Sequence, residues 1–114
     1  NPSRRALIYG YADALIAANK AADAIQFLSG TGDGRPTEPR IYEFQARAYA
    51  AMGKRLLQHR ALAEVYALRG NLPAAIEQLQ IAQKAGDGDF YQKSSVEARL
   101  RELMATDAEA RRKP

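Results

Sequence analysis

The sequence of 114 residues contains no cysteine and only one histidine, His59. Without cysteine, these residues form no disulfide bond and supply no thiolate metal ligand or thiol nucleophile. A single histidine also excludes a zinc site built from two or more histidines. No apolar run approaches the roughly 18 residues that a membrane-spanning helix needs, so we expect no direct membrane insertion.

Residues that favour β-strands are scarce as well. Two valines, six isoleucines and three threonines stand against 23 alanines. Side chains branched at Cβ pack well on a pleated sheet, whereas alanine has the highest helix propensity. The composition therefore predicts an all-α fold.

The net charge of +4 is concentrated at one end of the chain. Because Arg111, Arg112 and Lys113 contribute three of these positive charges, residues 1–110 retain a net charge of about +1. Elsewhere basic and acidic residues alternate, without the basic stripe and interleaved aromatics that bind phosphate backbones. We expect no nucleic-acid partner. The opening Asn-Pro-Ser-Arg-Arg has no Met and no apolar signal segment, so we expect the chain to begin within a longer protein.

Breaks at Gly, Asn and Pro divide the chain into six predicted antiparallel helices, each with apolar residues along one face. In the first helix these residues are at i, i+3, i+4 and i+7. They cover about residues 4–18, 21–28, 38–52, 54–69, 71–85 and 89–105, and the last two ranges include the predicted N-caps. Residues 1–105 are thus predicted to form one helical domain, and 106–114 a basic, frayed tail.

Local signals predict how these helices begin and end. The expected N-caps are Thr37 for the third helix and Asn71 for the fifth, while Asp89 with Gln92 forms an acidic capping box for the last. At the turns, left-handed backbone is expected at Asn19, Gly53 and Gly70, because few other residue types adopt it at low cost.

The same spaced residues recur along the chain. The first copy begins at Ile8, a second and partial copy at Tyr42, and a third at His59. The matched positions are Ile8, Tyr11, Ala12, Leu15, Asn19, Ala24 and Leu28; Tyr42, Gln45, Ala46, Tyr49 and Gly53; and His59, Leu62, Ala63, Tyr66, Gly70, Ala75 and Leu79. This spacing resembles the 34-residue tetratricopeptide (TPR) repeat, in which small residues lie where paired helices cross.

The spacing between copies is irregular. Copies one and two begin 34 residues apart, but copy three begins only 17 residues after copy two. Two interpretations remain open at this point. In the first, the helix at 54–69 is shared by two TPR-like units. In the second, copy two is degenerate and helices three and four form a simple hairpin.

Residues 58–103 resemble a known family more specifically. The similar stretches are His59-Arg-Ala-Leu-Ala-Glu64, Leu68-Arg-Gly-Asn-Leu-Pro-Ala-Ala-Ile-Glu-Gln-Leu79, Gly86-Asp-Gly-Asp-Phe-Tyr-Gln92 and Glu97-Ala-Arg-Leu-Arg-Glu-Leu103. They are similar to the C-terminal TPR domain of bacterial periplasmic zinc metalloproteases of the beta-barrel assembly-enhancing type. This implies a right-handed solenoid of helical hairpins, closed by a last helix that is not TPR-like.

The family's catalytic motif is absent from this chain. Its H-E-x-x-H helix needs a second histidine four residues after the first, and His59 is followed by Arg60 and, at the fourth position, Ala63. The resemblance therefore implies no enzyme activity and no cofactor in these residues, with zinc in a separate protease domain. It further implies a periplasmic location, and outer-membrane proteins or their assembly machinery as partners.

The best candidate binding surface is the concave groove of the predicted solenoid. Residues one position away from the packing set point into such a groove, and Tyr and Arg among them are the types that dominate interface energies. The candidates are Tyr9, Asp13, Ile16, Arg40, Glu43, Arg47, Arg60 and Glu64. An alternative function is a self-association or assembly scaffold, in which apolar surface on the first helix at residues 4–18 contacts either further repeats of a longer protein or another copy.

Overall fold

The computed structural model describes residues 2–32 and 34–113, and these form six α-helices and no β-strand. The helices are α1 Pro2–Ala17, α2 Ala21–Ser29, α3 Pro39–Ala51, α4 Arg55–Leu68, α5 Leu72–Gln83 and α6 Phe90–Arg112. The prediction of an all-α chain with six helices is confirmed. Within the described ranges, no helix is at once long and apolar enough to cross a membrane.

Three of the turns between helices share one geometry. Asn19, Gly53 and Gly70 have φ values of 63°, 72° and 79°, so the predicted left-handed residues are confirmed. In each turn the following N–H donates back to a carbonyl five residues earlier. The bonds are Lys20 N to Leu15 O at 2.8 Å, Lys54 N to Tyr49 O at 3.0 Å and Asn71 N to Tyr66 O at 2.9 Å. This pattern closes a helix by satisfying one of its free carbonyls.

Two of the three predicted caps are confirmed. Asn71 accepts a bond from Ala74 N at 3.2 Å, and Asp89 and Gln92 bond reciprocally at 2.7 and 3.0 Å. The third was wrong, because the N-cap of α3 is Glu38 and not Thr37. Pro39 occupies the first turn and disfavours helical backbone in the residue before it, which holds Glu38 extended at φ −102° and ψ 124°.

The last helix is longer than the sequence predicts. Instead of ending near Ala105, α6 continues to Arg112, so residues 106–112 are helical where a frayed tail is predicted. Arg111 pairs with Asp107 at 3.2 Å, one turn earlier on the same helix. The basic residues of this last turn also interact favourably with the negative end of the helix dipole.

The helices pack in chain order, each against the next, with further contacts between α1 and α3 and between α4 and α6. The largest core cluster joins α4, α5 and α6 around Leu56, Leu79 and Val96. A smaller cluster joins α1, α2 and α3 around Leu28 and Phe44. Several alanines are fully buried, because a methyl group lets two helix backbones come close. Of these, Ala12, Ala24, Ala63 and Ala75 are positions of the repeat, whereas Ala48 and Ala82 are not.

The turn between α5 and α6 also caps α4 from a distance. Neither the N-cap residue Lys54 nor any neighbour in sequence supplies a capping side chain. Instead the Asp87 carboxylate accepts bonds from Arg55 N at 2.8 Å and Leu56 N at 2.9 Å. Gly88 permits this approach, because a Cβ there would lie 2.8 Å from Leu56 Cδ1.

Candidate partner-binding groove

Two adjoining cavities run along one side of α3. The first, of about 490 Å³, lies between α1, α3 and the loop that joins α2 to α3. The second, of about 390 Å³, lies between α3, α4 and α6. Arg35 and Gln45 line both cavities. We refer to the two cavities together as the groove.

Two tyrosines of α3 and two side chains of α4 form much of the second cavity. Tyr42 and Tyr49 are two helical turns apart and share one side of α3, while Leu57 and Ala61 lie opposite on α4. Burial raises the pKa of Tyr42, and the negative charge of Glu64 raises it further. The Tyr42 phenol is therefore neutral at physiological pH and able to donate a hydrogen bond.

An ion pair between α4 and α6 fixes the far wall of this cavity. Arg99 Nε and Nη2 donate to the two oxygens of Glu64, both at 2.9 Å, and Arg99 Nη1 lies 3.2 Å from Glu102. The Arg99 and Glu64 side chains are only 22% and 13% exposed. The bonds to Glu64 are the main cause that raises the pKa of Arg99. Such a two-pronged pair is both stronger and more rigid than a single contact.

Besides Arg4 in the first cavity, two arginines of the groove form no ion pair with a described carboxylate. Arg60 Nη1 donates to the Ser95 hydroxyl at 2.9 Å, and within the described ranges no carboxylate pairs with it. Arg35, where the cavities meet, likewise forms no ion pair with any described residue. Among the described residues, the groove therefore has more arginine side chains than carboxylates paired with them.

The first cavity has a different electrostatic arrangement. Glu38 accepts a hydrogen bond from the Tyr9 hydroxyl and pairs with Arg5 at 3.2 Å. Burial raises the pKa of Tyr9 to about 12, and the bond to Glu38 adds to this effect. Arg4 also lines the cavity, and no described carboxylate pairs with it. Among the described residues, three arginines and one glutamate thus line the first cavity, with Arg35 shared with the second.

The eight residues predicted from the sequence fall into separate places. Tyr9 lines the first cavity, and Arg60 and Glu64 line the second. Glu43 pairs with Arg69 just after α4, and Ile16 is half-buried beside two core clusters.

The remaining three of the eight form a cluster around Phe44. Arg40 lies over the Tyr9 and Phe44 rings, 5.0 and 5.4 Å from their centroids. Arg47 lies 5.3 Å from the Phe44 ring and pairs with Asp13 at 2.9 Å. Both arginines precede a groove tyrosine by two residues, which is about 200° around the helix, so they lie on the other side of α3 from the second cavity. The partner-binding role of the eight residues stays a prediction.

Several groove residues were missed by the sequence reasoning. Tyr42 and Tyr49 belong to the repeat pattern, which predicts packing positions, and both do pack: Tyr42 is buried in a core cluster and Tyr49 lies against another. That they also line the second cavity is not predicted by the pattern, although their spacing with Gln45 marks one helical face. Arg99 carries no local signal at all, because its partner Glu64 is 35 residues away. Arg35 lies in a loop, to which the helical periodicity does not apply.

No described residues form a zinc site. The His59 ring Nδ1 lies 2.8 Å from Gln78 Oε1, and no carboxylate shares this contact. Over residues 2–32 and 34–113, no group of three or more His, Asp or Glu side chains is placed to hold a metal ion.

Comparison with known proteins adds no assignment. No protein-family model matches the chain, and neither does any curated protein or solved structure. The resemblance of residues 58–103 to metalloprotease TPR domains therefore stays a prediction from the sequence.

Proposed function

We propose that this chain is a protein-interaction module, a TPR-like right-handed solenoid that binds an extended segment of a protein partner. The observation that supports it best is the groove along α3, whose second cavity is bordered by α3, α4 and α6. Its walls combine Tyr42 and Tyr49 with Arg35 and Arg60, which are residue types enriched at binding hot spots.

The recurrent turns support the repeat interpretation. The turns at Asn19, Gly53 and Gly70 each have one residue with left-handed backbone, and in each the next N–H bonds to the carbonyl five residues earlier. These turns lie at the positions where the sequence copies align. The molecule measures 45 × 35 × 20 Å, so its shortest dimension is about two helix diameters. A stack of hairpins two helices thick has this shape.

The family resemblance extends the proposal to a parent protein. On that basis the module belongs to a periplasmic zinc metallopeptidase and recruits outer-membrane proteins, or components that assemble them, to a separate protease domain. Zinc would hydrolyse peptide bonds there, and this chain would contribute recognition only. Reading the gene upstream is the direct test, since an H-E-x-x-H motif is expected and its absence would refute this parent.

Site-specific photo-crosslinking tests the groove. A photoreactive residue in place of Tyr49 should capture peptides derived from unfolded outer-membrane β-strands. The matched control replaces Tyr91, which is highly exposed at the start of α6 and does not line the groove. Crosslinks at Tyr49 but not at Tyr91 support the proposal. Equal capture at both positions, or capture at neither, contradicts it.

A self-association scaffold is the second candidate, favoured by the surface of α1. Leu7 and Tyr11 lie one turn apart on this helix and are 74% and 54% exposed. Only Ala12 of α1 is fully buried, so most of this helix faces outward. An exposed apolar surface of this kind is typical of contacts between proteins.

A further inference from the structure

Resting on the proposed function, we infer that the groove selects an acidic, extended polypeptide segment whose carboxylates bind Arg35 and Arg60. The arginines of the groove differ in whether the fold supplies each of them with a carboxylate partner. Arg5 and Arg99 have glutamate partners within the fold, at Glu38 and Glu64. Arg35 and Arg60, like Arg4 at the end of the first cavity, have no carboxylate partner among the described residues, so their guanidinium groups can bind an anion from outside.

The position of these two arginines suits a segment that runs along the groove. Arg35 lies where the two cavities meet, and Arg60 lies in the second cavity between α3 and α6. The guanidinium group presents parallel donors that match the two oxygens of a carboxylate. Arg60 Nη1 donates a hydrogen bond to the Ser95 hydroxyl, and the other N–H groups of the guanidinium can donate to a ligand.

The wall beside the arginines accommodates uncharged parts of the same segment. Tyr49 is half-buried and lines the second cavity, together with the more deeply buried Tyr42, Leu57 and Ala61. Aromatic rings bind apolar side chains, and the tyrosine hydroxyls can bond backbone carbonyls. Residues alternate in direction along an extended peptide, so acidic side chains can reach the arginines while apolar ones contact this wall.

Acidic side chains within the groove favour a peptide over a nucleic acid. Glu38 lies in the first cavity, and Glu64 and Glu102 lie in the second. A nucleic acid carries a phosphate at every nucleotide, and some of those phosphates would meet these glutamates. A peptide carries carboxylates only at some positions, so it can place neutral residues opposite them.

Fluorescence anisotropy with matched peptides tests the inference. The probe is a labelled peptide of about ten residues with alternating Val and Glu, whose extended length of about 33 Å is close to the 35 Å breadth of the molecule. The comparison peptide has Gln at every Glu position. We expect the Glu peptide to bind at least about tenfold more tightly, and higher salt to reduce the difference.

Variants assign the effect to the two arginines. Arg35→Gln and Arg60→Gln should each weaken binding of the Glu peptide by roughly three- to tenfold and leave the Gln peptide unchanged. The control is Arg101→Gln, which removes the same charge from an exposed position of α6 that does not line the groove. Circular dichroism and thermal unfolding show that each variant keeps its fold.

The outcomes separate this inference from the proposed function. If both peptides bind equally and neither groove variant changes this, the groove binds peptides without charge selection and only the inference is overturned. If neither peptide binds and the Tyr49 crosslinks are also absent, both are overturned. If a single-stranded oligonucleotide binds more tightly than the Glu peptide and the same variants abolish it, the groove selects phosphate and the inference is wrong.

Discussion

Gly88 occupies a position where the fold leaves little room for a Cβ atom. Its φ of 94° lies in the left-handed region, and a Cβ would approach Leu56 Cδ1 to 2.8 Å. Leu56 is buried at the centre of the largest core cluster, so it has little room to move away. Gly86, two residues earlier, has a similar φ of 83° but no atom within 4 Å of its Cβ position.

The pair of glycines gives a controlled prediction. Gly86→Ala carries only the cost of left-handed backbone and should reduce the free energy of unfolding by about 1–2 kcal/mol. Gly88→Ala adds overpacking against Leu56 and should cost about 1–3 kcal/mol more. Urea unfolding of both variants measures the difference. Equal losses would show that Leu56 moves aside freely.

Residue types at the turns could be predicted from the sequence because the requirement is local. Asn19, Gly53 and Gly70 are among the few residues that adopt positive φ at low cost. The Thr37 cap was wrong because the stereochemistry of Pro39 placed the helix start one residue later. Groove residues were harder to identify, since Tyr42 and Tyr49 carry the same pattern whether they pack or bind.

At the scale of helices, α4 depends on a residue of another turn. Asp87 accepts two hydrogen bonds from backbone N–H groups at the N-terminus of α4. The bond from Leu56 N is the main cause that lowers the pKa of Asp87. Nothing near Lys54 in sequence indicates this contact. The cap links the α5–α6 turn to the start of α4.

This cap predicts a pH dependence of stability. Since the pKa of Asp87 is lower in the folded state, its carboxylate stabilises the native state at pH values above its unfolded pKa of about 4. That contribution is lost as the pH falls through the lower, folded value. Asp87→Ala should therefore have a lower free energy of unfolding than the wild type at pH 7. The difference between the two proteins should become smaller as the pH falls.

Urea unfolding at several pH values measures this effect. Glu97→Gln is a suitable control, because Glu97 is exposed on α6 and forms no ion pair with the described residues. It should leave the stability at pH 7 nearly unchanged. A constant gap between wild type and Asp87→Ala from pH 7 to pH 2 would contradict the capping role.

The Arg99–Glu64 pair joins α4 to α6 and predicts strong coupling between them. Arg99→Ala should reduce the free energy of unfolding by about 2–3 kcal/mol, because Glu64 is then left largely buried without its partner. A double-mutant cycle with Glu64→Gln should give a coupling energy of about 1–3 kcal/mol.

The matched control for this cycle is the Arg111–Asp107 pair within α6. Its arginine is 71% exposed, so the coupling energy should be below about 0.5 kcal/mol. If the two cycles give the same value, the Arg99–Glu64 pair contributes no more than a surface contact and does not hold the groove wall in place.

At the scale of the whole molecule, the exposed surface of α1 distinguishes a monomeric binding module from a self-associating scaffold. If Leu7 and Tyr11 mediate self-association, light scattering should show a mass above the monomer's 12.5 kDa that rises with concentration. Leu7→Lys should restore the monomer mass, since a buried lysine without a partner opposes association. Leu68→Lys, at the end of α4, is the control and should not change the mass. A wild-type monomer at every concentration would exclude the scaffold.

The sequence by itself determined the all-α class, six helices, three left-handed turns and two helix caps, because each depends on neighbours within a few residues. Only the tertiary structure decided the remainder. It placed Asp87 at the start of α4, paired Arg99 with Glu64 and brought Arg35 and Arg60 to one groove. These contacts join residues more than 30 positions apart or lie in a loop, and the direction of each helix face is set by which helices pack beside it.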